Sequence, residues 1–362
     1  MSSTLTNDTK KALEQKGRLK DAVLLFNQEI VKEYSKEGAA QERRNYRVLH
    51  PTEIITHECM DGRSYFEDIV QMMKGILYPF RNIGGKFDLS WLYFQTMVLR
   101  LVDYAINLGR NIVAIITYHY SEVVPLRGCK GFDFDKEEAI SAAMRLQAQY
   151  LRVFGSVVLP IVWGIETDTD ALVLHGSRGE RVKVDPKIFL TTEDVYSLLT
   201  QLYPTASKTV IADLVPLIEG NLRHQKDVIP QGKICSELDH TEEIIAIGWR
   251  LDALAQRNKV LTIGPFDPYT LENAIATAAQ LVVSNIKDGR IPGDEVLLMT
   301  SFPFWDETGP ERYAAEESAQ GFIEKGLSVV KKYSPQLIPI LKPLVLRTNM
   351  NTKYASVIDF KP

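Results

Sequence analysis

The chain has 362 residues, 45% of them hydrophobic and 24% charged, an ordinary balance for a globular protein with a sizeable core. Its formal net charge of -4 gives no basic footprint for nucleic acid, and its longest apolar run, residues 154–165, is too short to span a bilayer and contains Pro160. Three cysteines argue against a disulfide scaffold, and the opening MSSTLTNDTKKALEQK lacks the apolar core of a secretory signal, so a reducing, cytoplasmic setting is expected.

Residues 1–50 read as a helical, highly charged segment. Between residues 10 and 34, Leu13, Leu19, Val23, Leu24, Phe26 and Ile30 recur at helical spacing among lysines and glutamates, which suits an amphipathic helix lying on a larger body. Arg43, Arg44 and Arg47 close the segment as a solvated basic flank. From residue 51 short strands alternate with helices. Strands are expected at 53–57, 75–80, 111–118, 157–164 and 171–175, and helices at 91–108 and 136–154. That alternation predicts an α/β fold with a mostly parallel sheet covered on both faces.

The second half reads as a repeat of the same order. A helix is expected at 240–258, a strand at 259–264, a helix at 271–286, a strand at 295–300, a helix at 311–333, and closing strands at 344–347 and 354–358. Setting 111–118 beside 259–265 brings Ala139-Ile140 and Ala274-Ile275 into register, the mark of a diverged internal duplication. The domain reading is a helical segment at 1–50, a catalytic domain at 51–190 and a degenerate repeat at 191–362. The strands of the repeat are expected to extend the first half's sheet as a pseudo-dimer.

Chemistry concentrates in the first half. Cys59-Met60-Asp61-Gly62-Arg63 follows a predicted strand, His119 ends the apolar strand in ITYHYS, and Cys129 lies ten positions on in PLRGCKG. In a parallel sheet such strand ends share one rim, where sites gather. Two thiolates and an imidazole satisfy three of the four tetrahedral positions of zinc, leaving the fourth for water, as in a catalytic site. Asp61 can orient that water, and Arg63 can hold Asp61 ionised and aimed through a bidentate pair.

Other candidates read more plainly. His57 shares a strand face with Cys59 and reads as a buried histidine rather than a proton relay. Tyr118 and Tyr120 read as packing residues, and Asp168 and Asp170 as turn caps. Gly84 and Gly85 either admit backbone to the pocket or simply turn the chain. Cys235 reads as a small buried hydrophobe, and His175, His224 and His240 form no cluster. No glycine-rich nucleotide motif occurs.

The CMDGR segment resembles the Cys-x-Asp-x-Arg signature of β-carbonic anhydrases. Most β enzymes separate the histidine from the second cysteine by two residues, whereas nine intervene here. The stretch YHYSEVVPLRGC is similar to the longer loop of the carboxysome shell carbonic anhydrases, and GIETDTDALVLHG, residues 164–176, resembles that subclass as well. RNIGGKFD, residues 81–88, resembles its strand-2 loop more loosely. The resemblance covers about residues 51–180 and implies a β-carbonic-anhydrase-like fold whose second half lacks metal ligands. It implies one zinc per chain on Cys59, His119 and Cys129, with Asp61 and Arg63 catalytic. The implied reaction is reversible hydration of carbon dioxide to bicarbonate and a proton, in a homodimer or larger homo-oligomer. Hydrolysis of carbonyl sulfide or carbon disulfide on the same scaffold, and an inactive shell component, stay open as alternatives. So do a carboxysome location and contacts with Rubisco or shell proteins, for the long docking extension of the shell enzymes is not matched in this sequence.

Overall fold

The computed structural model describes residues 19–228 and 239–360. Cys235 and the segment before Leu19 lie outside the described residues. The strands form two separate, mostly parallel sheets flanked by helices, in two compact units. The expectation that the second half would extend the first half's sheet is therefore not met: each unit closes its own. Among the described residues no helix is long and apolar enough to cross a membrane.

The first unit spans Gln41–Asp239. After α1 (Leu19–Tyr34) and α2 (Ala39–Leu49) come β1 (Thr52–Cys59), the single turn α3 (Phe66–Ile69), β2 (Leu77–Asn82), α4 (Leu92–Asn107), β3 (Asn111–Tyr120) and α5 (Lys136–Phe154). β4 (Leu159–Glu166), β5 (Ala171–His175) and β6 (Arg181–Lys183) follow, then α6 (Thr192–Leu202) and α7 (Lys208–Val228). The sheet order is β2-β1-β3-β4-β5-β6, parallel from β2 to β4 and antiparallel beyond. β1 is buried along its whole length because helices cover both of its faces. Side chains alternate across a strand, so Ile54 packs into the cluster with α6 and α7, while His57 meets Phe94 of α4 and Tyr150 of α5.

Helices α6 and α7 had no counterpart in the sequence reading, which placed the boundary of the catalytic domain at residue 190. In the structure Val195, Leu199, Leu202, Val210, Ile211 and Leu214 join Ile115, Ile161 and Trp163 in one core. Gly220 is required where α7 meets the turn after α3, since a Cβ there would lie 1.8 Å from the Val70 carbonyl oxygen. Beside it the buried Asn221 amide donates to the Asp170 carbonyl at 2.8 Å and accepts from Leu172 N at 3.2 Å.

The second unit joins His240–Pro362 to the N-terminal stretch up to Ala40. Its elements are β7 (Ile244–Gly248), β8 (Val260–Ile263), α8 (Pro268–Lys287), β9 (Val296–Phe304), α9 (Pro310–Tyr333), β10 (Leu341–Asn349) and β11 (Ala355–Val357). The helix expected at 240–258 is a correction: Ile244-Ile245-Ala246-Ile247 is a fully buried strand between β8 and β9. A short run of β-branched residues bounded by Gly248 suits a core strand better than a helix. α1 belongs here through Asn27, whose amide donates to the carbonyls of Ala253 at 3.1 Å and Lys353 at 2.8 Å and accepts from Ala355 N at 3.0 Å.

The sheet order β11-β10-β9-β7-β8, read in reverse, repeats β2-β1-β3-β4-β5 strand for strand. The repeat is present, but the register from sequence was one unit out: β3 corresponds to β9, not to the strand at 259–264. His119 is the penultimate residue of β3, and the penultimate residue of β9 is Pro303, so Pro303 is the counterpart of His119.

Ending the chain at residue 190 would strip α6 and α7 from the first sheet and expose its apolar face. A fragment of residues 1–190 is expected to aggregate, checked by sedimentation of the expressed fragment. In the whole chain Leu214→Ala should cost about 2–5 kcal/mol in chemical denaturation, as a buried leucine does when a cavity replaces it.

Candidate metal centre and its surroundings

Parallel pairing of β1 with β3 places the carboxyl ends of both strands on one rim, with His57 opposite Ile116. Cys59 is the last residue of β1, and His119 lies within β3, one residue before its end. The chain leaves β3, turns through Pro125–Arg127 and returns Cys129 to the same rim. Sγ of Cys59, Sγ of Cys129 and an imidazole nitrogen of His119 lie within 4.8 Å of one another, all buried. The structure thus brings together all three residues singled out in the sequence.

The glycine pair makes the return close enough. Gly84 and Gly85 both have positive φ, +64° and +62°. A Cβ on Gly85 would lie 3.1 Å from the Thr117 carbonyl oxygen, and one on Gly131 would lie 2.7 Å from Gly84 N. Both readings of this pair therefore hold: it turns the chain and it admits the backbone after Cys129.

The two sulfurs stand 3.7 Å apart. That is far longer than the S–S bond of about 2.05 Å in a disulfide. It is close to the ~3.8 Å expected of two thiolates bound at about 2.3 Å to one tetrahedral zinc. Among the described residues neither ring nitrogen of His119 has a hydrogen-bond partner, although the residue is buried. An imidazole in that state is costly unless something else satisfies it. A soft cation bound by two sulfurs and one nitrogen would supply that partner, so the donor set fits zinc. Burial opposes the Cys59 thiolate, but the hydrogen bond with Cys129 and the nearby His119 outweigh it and hold this thiol well below its ordinary range. The Cys129 thiol is pushed well up by the same hydrogen bond and by burial.

Asp61 and Arg63 form the bidentate pair expected from their spacing. Arg63 donates from Nε to Oδ1 at 3.0 Å and from Nη2 to Oδ2 at 2.6 Å, and its backbone N–H donates to Oδ1 at 2.8 Å. Asp61 Oδ2 lies 3.6 Å from Nε2 of His119, which sets the carboxylate beside the trio of Cys59, His119 and Cys129.

Two residues escaped the sequence reading. Arg81, at the end of β2, donates to the Glu58 carboxylate at 2.5 Å, to the Asp61 carbonyl at 2.6 Å and to the Ser64 carbonyl at 3.2 Å. Its guanidinium also lies 3.9 Å from the ring centre of Tyr65. Glu58 is itself anchored by Thr56 Oγ1 at 2.6 Å and by the Phe66 amide at 3.3 Å. This buried pair grips the loop that carries Asp61 and Arg63 from behind. The available signal was two charged residues inside otherwise buried strands, Glu58 beside Cys59 and Arg81 beside the glycine loop.

The remaining candidates are engaged in contacts of their own. His57 lies among Phe80, Phe87 and Phe94 with Nε2 2.8 Å from the Tyr150 hydroxyl, and burial pushes its pKa down to about 3, so it is neutral at any working pH. Tyr118 stacks on Tyr120 and is 2.8 Å from His175, and Gly164 makes room for its ring. His224 pairs with Asp170, and His240 with Glu242.

Residues 101–237 match the family described as carboxysome shell carbonic anhydrase, catalytic domain. That stretch is similar to this carbonic anhydrase family. The match takes in His119 and Cys129 and begins after Cys59, Asp61 and Arg63. A solved structure titled as the β-carbonic anhydrase CcaA is 14% identical, covering 42% of this chain and 95% of that one with a TM-score of 0.27. No curated protein matches. The match over residues 101–237 supports hydration of carbon dioxide at the level of that family.

Removing Arg81 would strand the buried Glu58 carboxylate. Breaking a buried ion pair from one side typically costs about 3–5 kcal/mol, whereas replacing both partners with groups of similar shape is far milder. Arg81→Met should therefore destabilise the protein by that amount in chemical denaturation, and Arg81→Met combined with Glu58→Gln should recover much of it.

Proposed function

We propose that the chain hydrates carbon dioxide reversibly at a single zinc ion held by Cys59, His119 and Cys129. The buried convergence of these three side chains, with an ionised Asp61–Arg63 pair beside them, carries the reading. When bound, zinc supplies Lewis-acid activation that brings the pKa of a water to about 7.

The chain's own residues do the rest. Both Asp61 oxygens are occupied by Arg63, so the carboxylate is held ionised and cannot rotate freely toward the metal ligands. From there Asp61 accepts the hydrogen of the attacking water and turns its lone pair toward the carbon of carbon dioxide. Arg63, tied to Asp61 through its side chain and its own amide, fixes that direction. Arg81 holds the Asp61 backbone, so side chain and main chain are positioned by different partners. Bicarbonate and a proton are the products. His57 takes no part in proton transfer in this scheme, because an imidazole with a pKa of about 3 in an aromatic enclosure exchanges protons poorly near neutral pH.

Metal analysis of the purified protein should give one zinc per chain. Cys59→Ser and Cys129→Ser should each lose it, and Cys235→Ser should keep it; equal loss in all three would mean the ligands are wrongly assigned.

Asp61→Asn keeps the size of the side chain but turns an acceptor-only carboxylate into an amide. Loss of one preorganised catalytic hydrogen bond costs about 2.7–4 kcal/mol, or roughly a hundred- to a thousandfold in rate. Stopped-flow hydration should fall by that factor while zinc content stays near stoichiometric. Full activity in Asp61→Asn would remove its assigned role. Running a hydrogen sulfide release assay on carbonyl sulfide beside it identifies the preferred substrate.

A further inference from the structure

Nine residues separate His119 from Cys129, and Glu122, Val123, Pro125 and Leu126 among them are exposed. Its own turn at Pro125–Arg127 is short, so a loop of this length left to itself would return Cys129 to a broad range of positions. One neighbouring turn gathers both of its ends. At the start of the loop, Thr167 N donates to the Tyr120 carbonyl at 2.8 Å, and Thr167 Oγ1 lies 3.0 Å from the same oxygen. At the far end, Thr167 Oγ1 lies 3.3 Å from the Arg127 carbonyl, two residues before Cys129. Asp168 holds the stretch between. Its Oδ2 accepts from Ser121 Oγ at 2.7 Å, Glu122 N at 3.2 Å and Val123 N at 3.1 Å, and its Oδ1 stands 3.6 Å from Nη1 of Arg127. Ser121 Oγ in turn accepts from Val124 N at 2.8 Å.

We propose that Thr167 and Asp168 are positioning residues for the metal centre: they fix the closure of the His119–Cys129 loop and so set where the Cys129 sulfur returns. The inference rests on the reading of Cys59, His119 and Cys129 as zinc ligands. Neither residue touches the trio; both act through the loop backbone. Burial works against the charge on Asp168, but its hydrogen bonds with Glu166, Ser121 and Val123, together with Arg127, hold the carboxyl below its ordinary range, so the clamp stays ionised. A chain with two residues between histidine and cysteine needs no such clamp, because so short a link fixes its own ends. Here the turn after β4 does that work.

The test uses zinc-loaded, full-length protein mixed with excess chelator and iodoacetamide. Zinc transfer is followed optically, and labelling of Cys59 and Cys129 is read by peptide mass. Supporting groups around metal ligands typically alter affinity about 10–100-fold, and a backbone clamp one step further out belongs at the lower end. Asp168→Ala should release zinc about tenfold faster, with Cys129 labelled sooner and Cys59 unchanged relative to the metal released. Thr167→Val, which keeps the branched shape and loses only the hydroxyl, should shift release in the same direction by a smaller factor, and it carries the test if Asp168→Ala fails to fold. Asp168→Asn retains an oxygen for Ser121 and the two amides and should recover most of the wild-type rate. Wild-type release rates in both Asp168→Ala and Thr167→Val would overturn the proposal. So would equal acceleration of labelling at Cys59 and Cys129, since general loosening has no preference between them. A wild-type protein that holds no zinc at all overturns the ligand reading first, and the stoichiometry before mixing shows that case separately.

Discussion

Parallel pairing of β1 with β3 is the constraint on which the site depends. In a parallel pair both strands end on the same side, and the link between them must travel back along the sheet as a crossover. Here that crossover contains β2, the glycine pair and α4. Its cost is a long connection, and its product is a rim where residues 60 positions apart meet. Register then decides which residues meet. With His57 opposite Ile116, the end of β1 falls level with the last turn of β3, and Cys59 arrives beside His119. A slip of one residue would turn every side chain of β1 to the other face and carry Cys59 away from the rim. The buried, β-branched runs of both strands make such a slip costly, so core packing and metal geometry are enforced by the same contacts.

Charge is the second organising factor. Glu58, Asp61, Arg63 and Arg81 are all nearly inaccessible to water, where an isolated charge would be very expensive. They occur as two acid–base pairs, Arg81 with Glu58 and Arg63 with Asp61, so the loop after Cys59 is neutral as a whole. Two thiolates would add a charge of -2 in the same buried space, which a divalent cation cancels. The imidazole contributes a donor and no charge. Neutrality of every component is a physical reason why a buried site of this composition would suit a divalent metal. An arginine that neutralises a carboxylate while also filling two backbone acceptors, as Arg81 does, joins electrostatics to geometry. The loop cannot move without unpairing the charge.

Much of this was legible in the sequence because the signals were local. Cys59, Asp61 and Arg63 lie within five residues, His119 ends an unmistakable apolar strand, and helices such as 136–154 follow their periodicity to the residue. What escaped was decided at longer range. Nothing near Arg81 reveals that Glu58, 23 positions earlier, lies beside it, because that pairing exists only once β2 has joined β1. The segment 240–258 misled for a different reason. Its polar flanks gave it the length and composition of a helix, and only its position between β8 and β9 makes Ile244–Gly248 a strand. Misreading that strand displaced the whole repeat by one unit. Helices α6 and α7 went unread because their apolar residues declare a buried face without saying which sheet lies under it.

The two sheets together separate what the fold requires from what the chemistry requires. Both have the same strand order, both bury their central strands, and both place a long helix before the fourth strand. Those shared features are the ones that hydrophobic burial and parallel connection demand. At the rim they diverge. Where β3 carries His119, β9 carries Pro303, which has no donor nitrogen to offer a metal. β9 pairs with β10 as far as Phe304, whereas its pairing with β7 runs only to Ser301, two residues short of that proline. A proline is tolerated in an interior strand only near an end, where few ladder bonds are lost. The rim position is therefore one the architecture leaves open. A histidine there in the first sheet is not needed to complete the strand, and its burial with no hydrogen-bond partner among the described residues works against stability. A residue that the fold neither needs nor favours calls for a reason in its chemistry, and in the first unit its neighbours are Cys59, Cys129 and the Asp61 carboxylate.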